Sequence, residues 1–148
     1  MIGKFAGYLL ARAPSWFDAH VQPHLDAIDE SEASLVLWSG VLASRSHFQK
    51  FRDRTRSAVR TGWPAVDEHM PGSGEAFLQL HSAHFAYDTA AEDAVWADPF
   101  IANAPIETHT RWIRSVARHL DEASIDAEAL LFAHWRHRLA GQPPIHAR

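Results

Sequence analysis

The chain contains no cysteine, so neither a disulfide framework nor a thiolate metal cage is available, and the core alone must stabilise it. A reducing cytoplasm suits such a composition and is the expected location. Uninterrupted apolar runs are only a few residues long, against the roughly 20 needed to cross a bilayer, which argues against a membrane-spanning helix. The apolar stretch behind Lys4 is broken by Gly7 and Arg12 and followed by Pro14, unlike a secretory signal. Sustained alternation of period two is missing, and with it the signature of a half-buried strand. Also missing are a Gly-x-Ser-x-Gly elbow, a phosphate loop and a dinucleotide fingerprint. Pro71-Gly72-Ser73-Gly74 lacks the Lys-Ser/Thr sequel and reads as a turn. The motifs therefore name no catalytic residue and no cofactor.

What remains is ordinary globular material. With 148 residues, 47% hydrophobic and 22% charged, the chain can bury one core as a single domain over 1–148. Residues 1–74 carry eight basic and eight acidic side chains, and residues 75–148 carry six and ten, so neither half is built mainly to hold a polyanion.

Apolar residues recur at helical spacing almost throughout, which predicts an all-α bundle or array of about seven helices, mostly antiparallel neighbours. The first covers 2–13 with Phe5, Leu9 and Ala13 on one face. The second, capped by Ser15 and kinked by Pro23, turns Phe17, Val21, Leu25 and Ile28 inward. Asp29 or Ser31 caps a third that looks almost fully buried through Leu35, Trp38, Val41 and Leu42. A fourth opens at Ser46, buries Phe48, Phe51, Thr55 and Val59, and ends at Gly62. Residues 62–74, with Trp63-Pro64 and Pro71-Gly72, read as a mobile loop holding at most one helical turn at 65–69. A fifth helix covers 75–87, with a short continuation from Thr89. A sixth is defined by Trp112, Ile113, Val116 and Leu120. The last starts at Ser124, packs Leu131, Trp135 and Leu139 as a closing stripe, and stops at Gly141.

Eleven histidines invite a metal reading, because neutral imidazole ligates zinc, nickel and iron. His20/His24, His81/His84 and His134/His137 have same-face spacing, and His81, His84 and Asp88 form the alternative metal set. Neither His-Glu-x-x-His nor Glu-x-x-His occurs, so half-exposed rings at helix edges explain most of them. Residues 45–60 carry Arg45, Lys50, Arg52, Arg54, Arg56 and Arg60 against Asp53 alone, a net +5 that could track a phosphate backbone. The ridge formed by Arg52, Arg56 and Arg60 is expected to be exposed, with Arg45 and Lys50 extending it as the candidate binding surface. No aromatic platform interleaves with it. Six tryptophans are many for this length, and any left partly exposed would serve as interface anchors.

Leu37-Trp38-Ser39-Gly40 and the run from Trp135 through Arg136-His137-Arg138-Leu139-Ala140-Gly141-Gln142 to Pro143, on this helical layout, resemble the helical C-terminal region of bacterial sirtuin-like antiphage defence proteins. The resemblance covers most of the chain through short, structural motifs. Those proteins also carry an N-terminal NAD-processing domain whose glycine-rich motif is not found in this sequence, so no enzymatic residue carries over. Gly40 has a physical reading of its own, as the place where a neighbouring helix can approach closely. The expectation is a non-catalytic interaction, sensing or scaffolding module with a protein partner or effector domain. The alternatives are a histidine-based metal enzyme of the helical-bundle type and a nucleic-acid-contacting module.

Overall fold

The computed structural model describes residues 2–29, 31–44, 49–88, 104–123 and 125–140. Nine α-helices occur among them, with no strand: α1 (Ala6–Arg12), α2 (Pro14–His20), α3 (Gln22–Leu25), α4 (Glu32–Ser44), α5 (Gln49–Thr61), α6 (Trp63–His69), α7 (Gly74–Asp88), α8 (Ile106–Ala117) and α9 (Ile125–Ala140). Short 3₁₀ turns cover Ile2–Phe5, Pro71–Ser73 and Leu120–Glu122. The all-α expectation holds. No helix among the described residues is long and apolar enough to cross a membrane.

Proline placement accounts for most differences from the expected boundaries. Pro14, Pro23, Pro64 and Pro71 each stand in the first two positions of a helical element, where the missing N–H costs nothing and the fixed φ favours the turn. The second expected helix is accordingly two, separated at Val21, with Pro23 starting α3 rather than kinking a longer rod. Residues 62–74 are mostly helical, not a loop. Trp63 and Val66 of α6, and Met70 after it, are buried and hold the segment down. Ser31 caps α4, its hydroxyl accepting from the Ser34 amide at 3.3 Å, while Asp29 accepts from the Ser31 amide at 2.9 Å.

The N-terminal helix is rotated from its expected face. Ala6 and Leu10 are buried, whereas Phe5 is exposed, because the first turn is 3₁₀ and its tighter winding shifts the phase of α1 behind it. That turn crosses α4 at glycine on glycine. A Cβ on Gly40 would lie 2.9 Å from the Gly3 Cα, and one on Gly3 would strike the Leu37 carbonyl. Gly40 is thus a close-approach point, as expected, but the element that approaches it is the short 3₁₀ turn Ile2–Phe5 rather than a neighbouring α-helix.

Helix α7 is the hub, packed against α4, α5, α6, α8 and α9. It buries Phe77, Leu78, Leu80, His81, Ser82, His84, Phe85 and Ala86, which leaves it little solvent-facing surface. Rings of Trp63, Phe77, His81 and Trp112 follow one another at centroid spacings of 5.9, 6.0 and 5.9 Å, with Phe85 on Trp112 at 5.2 Å. Among the described side chains of the final helix, Ala127 and Leu131 are buried and Leu130 packs against the core. Trp135 is 39% exposed, and so leaves the expected buried stripe. The Leu139 side chain, the stop at Gly141 and the continuation after Thr89 lie outside the described residues.

Candidate interaction groove

On α2 and α3 the buried row Phe17, Val21, Leu25 faces the core, so Trp16, His20 and His24 fall along its flank. On α4 the core row is Leu37, Trp38, Val41 and Leu42. Glu32, Ala33 and Val36 therefore point away from it, and α4 is not the fully buried helix expected from its composition. The two flanks face each other over a groove of about 470 Å³, reached at one end by Gly3. Trp16 forms one wall and lies against His20 with ring centroids 5.0 Å apart at 42°. It is nevertheless 45% exposed, and Val36 opposite is 58% exposed. Such a cleft, mostly apolar with a few polar groups, has the size and lining of a recognition site.

The polar side chains of the lining are one carboxylate, Glu32, and two imidazoles, His20 and His24, with no lysine or arginine among them. Between Arg12 and Arg45 the sequence contains no lysine or arginine but five acids, Asp18, Asp26, Asp29, Glu30 and Glu32. That stretch supplies every residue lining the groove except Gly3. Glu32 is the carboxylate within the lining. The hydrogen bonds from the Ser31 hydroxyl and amide hold the Asp29 carboxyl below the usual carboxylate range, so it stays charged into mild acid. Asp18 and Asp26 are already engaged, the Asp18 carboxylate 3.0 Å from Arg54 and Asp26 accepting from the Gln22 amide at 2.6 Å.

The basic helix differs from its expected form. Phe51, Thr55 and Val59 are buried, and a row displaced from them by one residue sits about 100° around the helix, at the boundary rather than on the outside. Arg52, Arg56 and Arg60 are consequently half-buried. Arg52 lies over the Tyr87 ring at 5.4 Å, and Arg56 contacts Asp53 at 3.1 Å. The outward side carries Lys50, Asp53, Arg54 and Ser57, and Arg54 is held by Asp18. The expected exposed arginine ridge is therefore partly spent on intramolecular contacts. Arg45 and Phe48 lie outside the described residues.

Among the described side chains, His81 and His84 belong to a buried polar seam. His81 Nδ1 accepts from the Trp112 indole N–H at 2.9 Å, which uses the lone pair a metal would need and places the imidazole proton on Nε2. Burial, with the neighbouring His84 adding to it, pushes the His81 pKa down to about 3. Thr55 donates its hydroxyl to the Phe51 carbonyl at 3.0 Å and lies 3.4 Å from His84 Nε2. Ser82 and Ser115 share a hydrogen bond of 2.6 Å, and Tyr87 meets His119 at 2.9 Å. The Asp88 backbone continues α7, while its side chain, like those of His134 and His137, lies outside what the structure describes. Among the described residues no group of three His, Asp or Glu side chains is gathered to hold a metal ion.

His20 and His24, noted for their spacing, do meet in one place, the groove. Sequence reasoning missed their partners Glu32 and Val36, which arrive from another helix. The available signal was that Trp16 and Val36 are large apolar residues standing beside the buried rows of their own helices. Comparisons with protein-family models, with curated proteins and with solved structures found no match to this chain.

Proposed function

We propose that this chain is a helical protein-interaction module whose partner docks in the groove between α2, α3 and α4. One observation carries the reading: two large apolar side chains, Trp16 and Val36, are held exposed on opposite walls of a concave site whose backbone is fixed by buried neighbours. A tryptophan on a rigid helix next to a pocket is the residue type that dominates interface energetics. Helix-in-groove docking uses this geometry. The resemblance to the helical region of sirtuin-like defence proteins favours the same kind of role, recognition or assembly beside a separate effector, and suggests a prokaryotic defence setting.

Site-specific photo-crosslinking tests it. A photoreactive amino acid at position 36, expressed in the native host, should yield one discrete adduct that disappears when Trp16→Ala is added. The same amino acid at exposed Glu68, outside the groove, should give none. Adducts of equal yield at both positions, or none at 36, would refute groove docking.

A further inference from the structure

The charge distribution says what kind of partner the groove suits. We infer that it receives an amphipathic segment of a partner protein whose apolar face is flanked by lysine or arginine, an inference that rests on the docking reading above. The apolar part of such a segment lies between Trp16 and Val36, which leave a large fraction of their surface uncovered. Its basic flank meets Glu32 at the wall and Asp29 just before α4, whose carboxylate Ser31 keeps charged. No lysine or arginine of the groove-forming stretch opposes it, since none occurs between Arg12 and Arg45. An acidic partner would instead meet the Glu32 carboxylate on a wall where no lysine or arginine lines the groove, with charged Asp29 three residues before it. Such a match acts mainly on the encounter rate and on selection among partners, and it is screened by salt.

The test uses two synthetic amphipathic helical peptides with the same leucine face, one flanked by lysines and the other by glutamates. Calorimetry measures affinity, and amide NMR of the full chain maps the contact. The lysine peptide should bind about tenfold more tightly, with shifts centred on Trp16, Glu32 and Val36. Its advantage should shrink several-fold between about 50 and about 300 mM salt, and Glu32→Gln should narrow it at low salt. Equal affinity of the two peptides for the groove would overturn the charge inference, while a retained crosslink at position 36 would keep the docking reading alive. Shifts centred elsewhere, or no binding of either peptide, would also overturn it. Sedimentation provides the last arm: a concentration-dependent dimer lost in Trp16→Ala would assign the groove to a second copy and overturn the basic-partner inference.

Discussion

Acidification should weaken this fold through one side chain, His81. The ring is fully buried, accepts at Nδ1 from the Trp112 indole and has its pKa lowered to about 3, whereas an unfolded chain returns it to the ordinary value of 6.5. Because the folded value lies below the unfolded one, the unfolded state binds more protons between those limits. Stability is therefore complete above pH 6.5 and is lost as the pH falls from 6.5 towards about 3. At pH 5 the unfolded imidazole is almost fully protonated and the folded one almost not at all, a difference of about 2 kcal/mol. For a domain of this size that lowers the melting temperature by about 4–8 °C. Protonation in place is no escape, since an N–H at Nδ1 would point at the indole N–H. The assay is a pair of denaturant melts, at pH 7.5 and 5.0, for the parent and for His81→Gln. The Gln amide oxygen can still accept from Trp112 but does not titrate. The variant should be less sensitive to the pH change by about 2 kcal/mol. Parallel losses in the two proteins would show that His81 carries no such linkage.

Burial and backbone contact set the outcome of three substitutions. Trp112→Ala removes a fully buried indole from the ring column and should cost about 3–5 kcal/mol, whereas Trp135→Ala, at a site 39% exposed, should cost less than half as much; comparative thermal melts decide it. Gly40→Ala places a methyl 2.9 Å from the Gly3 Cα, which has no side chain to yield, and should destabilise by about 1–3 kcal/mol by chemical denaturation. Trp16→Ala should shift stability by less than about 1 kcal/mol while abolishing the crosslink at position 36, so a melt as depressed as that of Trp112→Ala would make Trp16 a core residue.

Inward-facing positions were legible in the second and fourth expected helices, each with a single apolar row. Phe17, Val21, Leu25 and Ile28 are buried as their spacing requires, and so are Phe51, Thr55 and Val59. Spacing misjudged the positions decided by neighbours distant in sequence. Trp135 has the spacing of a core residue but is 39% exposed, whereas Ala127 and Leu131 of the same helix are buried. The arginine row on α5 looked external because the opposite side was apolar. In fact it lies one residue from the buried row and at the edge of the packing surface. Trp63-Pro64 carries the local marks of a break, and only the burial of Trp63, Val66 and Met70 against the core turns it into a helix start. The groove was half legible: His20 and His24 show their common face through i,i+4 spacing, but Glu32 and Val36 join them through tertiary packing.

Fluorine NMR on protein labelled with 5-fluorotryptophan tests the docking claim most directly, since Trp16 reports from the groove, Trp38, Trp63 and Trp112 from the core, and Trp135 from the last helix. On addition of the protein captured at position 36, the Trp16 resonance should shift and broaden while those of buried Trp38, Trp63 and Trp112 stay in place. A stationary Trp16 resonance with a moving Trp135 would put the partner on the C-terminal helix and contradict the account.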